Sequence, residues 1–293
     1  MSTPRFLNLP PGVRRTDLVT PRGTFAALEA LPGSGVPERC PALLVPGFTG
    51  SKEDYLGILL TLARAGRRVV AIDMRGQHQS APAPDHSGYT RAALGADICA
   101  LLDLLGPDQV HLVGHSFGGL VTREAVIADP SCVASFTLMS SGPAAITGES
   151  AARAQALIDA LPELGMRQIW ELAMEPEAIA NGVSAEIVEF LRTRTLGNCE
   201  TGLSCMAQEL LTCPDRVEEL AKVADEADLP LMVLYGEDDD AWDPRVQAAM
   251  ADRLDAVMVV IPGAAHSPAW DAPETTASAL TDLWNQAERT TFH

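Results

Sequence analysis

The stretch Val110-His111-Leu112-Val113-Gly114-His115-Ser116-Phe117-Gly118-Gly119-Leu120-Val121-Thr122-Arg123-Glu124-Ala125-Val126 decides the fold. It runs from a short apolar strand through a G-x-S-x-G turn into a helix. In that setting the serine sits on a sharp, strained corner with its hydroxyl in the open. The two glycines are required because strand and helix pass too close there for side chains. A serine displayed in this way asks for an acid and then a histidine, each after its own later strand.

Upstream, residues 14–30 read as two short strands around the turn Thr20-Pro21-Arg22-Gly23. Ala42-Leu43-Leu44-Val45, ending at Pro46-Gly47, is a continuous apolar run of the kind expected for a strand buried on both faces. Ser51 is an N-cap residue with Asp54 three positions on, a weaker form of the capping box; the helix it starts runs to about residue 65, with Gly66 past its end. Val69-Val70-Ala71-Ile72 is a second buried strand leading into Asp73-Met74-Arg75-Gly76, followed by a polar loop over residues 77–89. Leu94, Ile98, Leu101, Leu102 and Leu105 fall on one helical face, which Gly106-Pro107 ends.

Downstream, residues 133–139 read as a strand. Such alternation predicts a mainly parallel sheet with helices on both faces. Residues 145–213 carry only helical signals, broken at Pro162, Pro176, Gly182 and Gly197. Strand signals resume at residues 230–236 and 257–261, with helices over 244–254 and 273–287. The expected organisation is an α/β core made of residues 1–144 and 214–293, interrupted by a helical insert at 145–213.

Gly236-Glu237-Asp238-Asp239-Asp240 follows one late strand, and Pro262-Gly263-Ala264-Ala265-His266-Ser267 follows the next. The order is therefore Ser, Asp, His, each at the C-terminal end of a parallel strand, where such sheets bind ligands. A serine hydroxyl is a poor nucleophile until an imidazole takes its proton, and the imidazole needs a carboxylate to fix its tautomer.

Pro46-Gly47-Phe48-Thr49-Gly50, Asp73-Met74-Arg75-Gly76, the Ser116 turn and the two late loops together resemble the α/β-hydrolase superfamily over nearly the whole chain. The resemblance implies an α/β-hydrolase fold with the insert as a helical cap. It makes Ser116 the nucleophile and His266 the base. Asp239 ranks first as the acid because it lies three residues after the strand-ending glycine; Asp240 ranks second and Asp238 third. It places the backbone N–H groups of Phe48 and Phe117 in an oxyanion hole. Two departures stand out: Pro46 replaces the usual histidine, and His78 stands where the Arg-Gly-x-Gly-x-Ser run has a glycine.

Other residues have plainer readings. His111 and His115 are expected to pack beside the nucleophile without acting as bases. His78 and His86 are read as solvated loop residues. Asp73 and Arg75 are read as a structural ion pair or as ligands of the loop backbone. Trp170, Met174 and Met206 pack on insert helices, with Trp170, Met174 and Trp242 as candidates for the substrate pocket.

The net charge of -18 argues against nucleic acid and against an anionic membrane surface. No segment approaches the roughly 20 apolar residues of a membrane span, and the first residues lack the apolar core of a signal peptide. A cytoplasmic protein is expected. Cys40, Cys99 and Cys132 read as buried thiols, while a disulfide among Cys199, Cys205 and Cys213 is left open. No C-x-x-C pair suggests zinc.

The expected activity is hydrolysis of an apolar ester, thioester or lactone, of the carboxylesterase type, without metal or organic cofactor. The same triad type also serves carbon–carbon bond hydrolases and cofactor-free haloperoxidases or perhydrolases. A ligand receptor with a vestigial triad is the reading from a different class. Oligomeric state is not legible.

Overall fold

The computed structural model describes residues 2–291 except Pro37, Pro107 and Asp108. β1 (Val13–Thr20) and β2 (Gly23–Ala30) form an antiparallel hairpin in register from Val13↔Ala30 to Thr20↔Gly23. β3 (Arg39–Val45), α1 (Leu56–Arg64) and β4 (Arg67–Ile72) follow. Next come α2 (Arg91–Leu105), β5 (Val110–His115), α3 (Phe117–Ala128) and β6 (Val133–Met139). The Pro107 half of the expected α2 stop lies outside the described residues; Gly106 follows the helix with φ 152°.

Residues beyond β6 form α4 (Gly148–Ile169), a π-helical turn (Trp170–Met174), α5 (Glu175–Ala180), α6 (Ala185–Leu196) and α7 (Glu200–Thr212). The chain then makes α8 (Val217–Glu226), β7 (Leu231–Gly236), α9 (Pro244–Arg253) and β8 (Val257–Ile261). α10 (Pro268–Asp271) and α11 (Pro273–Thr291) close it. No described helix is long and apolar enough to cross a membrane.

The strands join in one eight-stranded sheet of order β1-β2-β4-β3-β5-β6-β7-β8, parallel at every pairing from β4 to β8. Period-2 alternation sorts neighbouring strand residues into two apolar layers. Leu43, Leu112 and Val233 pack with α2, α3 and α8 on one face. Leu44, Val113 and Leu234 pack with α1 and α11 on the other. Both faces are covered, which is why these strands read as unbroken apolar runs.

The fold corrects several expectations. Pro162 does not break α4; the break is at Gly165, whose φ of 67° and ψ of 163° leave the helix. Pro176 sits in the first turn of α5, where a missing N–H costs nothing. α8 was not expected at all, yet Val217, Leu220 and Ala224 recur at helical spacing and are buried. No disulfide joins Cys199, Cys205 and Cys213; Cys40, Cys99 and Cys132 are half-buried, and Cys213 is the buried one.

Candidate active site

The loops after β3, β5, β7 and β8 converge at the C-terminal edge of the sheet. Ser116 joins β5 to α3 with φ 56° and ψ -124°, a backbone state few side-chain-bearing residues adopt. The corner is pinned on both sides: the Ser116 N–H donates to the Met139 carbonyl at 2.9 Å, and the Gly119 N–H donates to the Ser116 carbonyl at 2.9 Å. A Cβ on Gly118 would press into the Pro46 carbonyl oxygen, which explains the second glycine of the motif.

The Ser116 Oγ lies 3.0 Å from His266 Nε2, and His266 Nδ1 lies 2.9 Å from Asp239 Oδ1. With the Nδ1 proton donated to Asp239, Nε2 is free to accept from the serine hydroxyl. The Asp239 side chain is fully buried. Burial pushes its pKa up, but the His266 hydrogen bond and charge, the Ala241 N–H and the Gln247 amide outweigh this and hold the carboxyl at about 2. Gln247 Nε2 donates to Asp239 Oδ2 at 3.0 Å, and the Ala241 N–H donates to Oδ1 at 2.9 Å. Asp240 is exposed at the cavity rim, and Asp238 is exposed as well.

His115 is not placed to act as a base. Its Nε2–H donates to the His266 carbonyl at 2.7 Å, tying the histidine loop to β5. Burial, reinforced by nearby His266, holds its pKa down to about 3. His111 is buried on β5, bonded to Ser135 and Glu288, and stacked on Trp284 at 5.1 Å.

Among the described residues, neither the Phe48 N–H nor the Phe117 N–H has an acceptor. Phe117 is the first residue of α3, where backbone donors are necessarily free and the helix end favours negative charge. The β3 loop lies close to the serine, since a Cβ on Gly47 would be 3.3 Å from Ser116 Oγ.

A cavity of about 950 Å³ opens over Ser116 and His266, and Trp170, Met174 and Trp242 all line it. Its walls are largely apolar, with Ile146, Leu157, Leu164 and Leu210 among them. Met206 is buried in the core instead.

Asp73 and Arg75 do not pair with each other. Asp73 takes Lys52 Nζ at 2.7 Å and the Gln79 N–H at 3.2 Å, whereas Arg75 Nε pairs with Asp97 at 2.6 Å. His86 is exposed, but His78 is not a solvated residue. It is half-buried at φ 45°, edge-on to Phe190 at 5.8 Å, and burial lowers its pKa to about 4. The family's glycine is replaced by a residue in the backbone state that favours glycine. Three-ligand groups form at Cys40, His111 and Glu288 and at Asp239, Asp240 and His266. Glu288 in the first is bound by Arg39, Arg67 and His111.

Sequence reading missed the ties between the α6–α7 region and the core, because their partners are far apart in the chain. Arg194 Nη1 bonds Asp54 Oδ1 at 2.9 Å, and its Nη2 donates to the Ser2 carbonyl at 2.7 Å. Asn198 Oδ1 accepts the His78 N–H at 3.0 Å, and the Cys199 N–H donates to the Gly76 carbonyl at 2.8 Å. Burial pushes the Asp54 carboxyl up to about 6 against the pull of Arg194. Replacing Arg194 by methionine leaves that acid buried without its cation. The expected loss is about 3–5 kcal/mol by denaturant unfolding. Arg192→Ala, at a surface pair, should change stability by less than about 1 kcal/mol. Equal effects would mean the buried pair does not anchor this region.

A mainly parallel sheet that presents a serine corner, an acid and a histidine on the loops after β5, β7 and β8 defines an α/β-hydrolase type of protein. The chain matches the alpha/beta hydrolase family over residues 42–279 and belongs to it. The dihydrolipoyllysine-residue acetyltransferase component of the acetoin cleaving system of Pseudomonas putida is 29% identical over 237 residues, 80% of this chain and 60% of that protein. The sn-1-specific diacylglycerol lipase ABHD11 of Xenopus tropicalis is 34% identical over 106 residues, 36% of this chain and 32% of that one. The chain thus spans between about a third and three fifths of the length of these curated relatives. Among solved structures, a thermophilic esterase from Thermogutta terrifontis, malate bound, has a TM-score of 0.72 at 23% identity, covering 94% of this chain and 99% of the other.

Proposed function

We propose that the protein is a serine hydrolase that cleaves a carboxylic ester, thioester or lactone through an acyl-enzyme. One observation carries this reading: the unbroken chain from Ser116 Oγ through His266 to the buried Asp239 carboxylate. Ser116 attacks the carbonyl carbon while His266 Nε2 takes the hydroxyl proton. The tetrahedral oxyanion accepts from the Phe48 and Phe117 N–H groups, each worth about 10²–10³ in kcat by analogy with other such donors. Collapse expels the alcohol or thiol, which takes the proton from His266. Water then attacks the acyl-serine with His266 again as base, and the acid leaves. Asp239 keeps the imidazole in the required tautomer and stabilises the imidazolium. The scheme uses no metal or organic cofactor.

Helices α4 to α7 are the cap of this reading, and the cavity beneath them suits an uncharged, apolar acyl group. Intact-mass analysis with a fluorophosphonate tests the reading. One adduct per chain is expected, together with multiple turnover of p-nitrophenyl acyl esters. A folded protein that takes no adduct and turns over no ester would overturn it.

A further inference from the structure

We infer that Gln77 is a positioning residue that aims the Phe48 N–H at the developing oxyanion. This rests on the acyl-enzyme reading above. Gln77 is fully buried in the turn after β4, and its side chain crosses to the loop after β3. Its Nε2 donates to the Gly47 carbonyl at 3.1 Å, and its Oε1 accepts the Thr49 N–H at 2.6 Å. The carboxamide therefore brackets Phe48 from both sides. It does not line the cavity, so it acts only through the loop.

The Gly47 carbonyl and the Phe48 N–H are opposite ends of one planar peptide. Holding the oxygen fixes where the N–H points. A hydrogen bond to that oxygen also polarises the peptide and strengthens the N–H as a donor. The neighbouring peptide needs help for a second reason. The Gly50 N–H donates to the Gly47 carbonyl at 3.1 Å, closing a β-turn whose third residue, Thr49, has φ 59°. Phe48 is not in the left-handed region, so this is the turn that asks for glycine where the β-branched Thr49 stands. The bond to Gln77 holds the Thr49 peptide in that strained state. Without it, the central peptide can turn over and relieve Thr49. The Gly47–Phe48 peptide loses its tether in the same event.

The experiment compares wild type with Gln77→Met and Gln77→Glu, using a p-nitrophenyl ester and a trifluoromethyl ketone that forms a tetrahedral oxyanion on the serine. Gln77→Met should lower kcat about 10²-fold, the scale of one oxyanion donor, with KM changed less than about twofold, since ground-state binding does not use the hole. Affinity for the ketone should fall in parallel with kcat/KM. Gln77→Glu can replace both hydrogen bonds only when protonated, and a buried carboxyl titrates high. Its rate relative to wild type should therefore rise as pH falls, while the methionine variant shows no such recovery. Placing Gln77→Met in a Thr49→Gly background should shrink its effect, because the strain that drives the turn over is gone. A folded Gln77→Met with unchanged kcat, a loss confined to KM, or lost kcat with full ketone affinity would overturn the inference and leave the acyl-enzyme reading standing. Absence of any wild-type adduct or turnover overturns the reading itself.

Discussion

Ser116→Ala should lower kcat for ester hydrolysis by about 10⁶-fold, the scale seen when the nucleophile of a serine triad is removed, with the fold intact. The Oγ is the one atom of the serine that reaches His266 Nε2, at 3.0 Å. Alanine keeps the Cβ that the corner already accommodates at φ 56°, and the backbone bonds to Met139 and Gly119 do not involve the hydroxyl. Circular dichroism and the unfolding midpoint should therefore match wild type. The fluorophosphonate adduct should vanish with the rate. If Ser116→Ala hydrolysed esters within tenfold of wild type, the nucleophile would lie elsewhere and the proposed mechanism would be wrong.

Asp239→Asn should cost about 10⁴-fold in kcat, the effect of a wrong histidine tautomer, whereas Asp240→Asn should stay within a few-fold. An asparagine has one acceptor oxygen where the carboxylate has two. The Ala241 N–H and the Gln247 amide already require acceptors at this site. A carbonyl that keeps the Gln247 bond at the Oδ2 position puts the NH₂ at the Oδ1 position, against the Ala241 N–H and toward His266 Nδ1. Nδ1 must then accept, so the imidazole proton moves to Nε2, and Nε2 can no longer take the serine proton. The pH behaviour follows from the same contacts. The folded pKa, about 2, lies below the ordinary carboxyl value of 3.8, so the contribution of Asp239 to stability is present above the unfolded pKa. It is lost as pH falls through about 2, and Asn at this position should remove that acid-side loss. Nor does a rate inflection in the ordinary carboxylate range belong to Asp239. Equal losses in Asp239→Asn and Asp240→Asn would count against Asp239 as the orienting acid.

What could be read from the chain beforehand follows a physical divide. Strands buried on both faces announce themselves, because Leu43, Leu44 and Val45, like Val110, Leu112 and Val113, must each be acceptable to an apolar layer. The serine corner is local for the same reason: its glycines and the strand before it are adjacent in sequence. Counting from Gly236 ranks Asp239 first among the three aspartates but supplies no physical ground for the choice. Which acid turns inward depends on bonds from the Glu237 and Asp238 N–H groups to Ile261 and Ala264, on the next strand and loop. α8 was missed because its buried face has only Val217, Leu220 and Ala224 among charged residues. The Gly165 break gave way in the reading to the proline three residues earlier, since proline is the louder signal and glycine acts only through its φ. Gln77 and Arg194 have no local signal at all; each means something only opposite a loop that the fold brings to it.

The helical segment divides its duties along its length. Its polar ties to the core described above fall at Arg194, Asn198 and Cys199. Its share of the cavity wall comes mostly from earlier positions, from Ile146 and Leu157 to Trp170 and Met174. Substitutions in that first half re-tailor the space offered to a substrate without touching these ties. A designer seeking a new specificity can therefore vary the first half and leave the anchors of the second half in place.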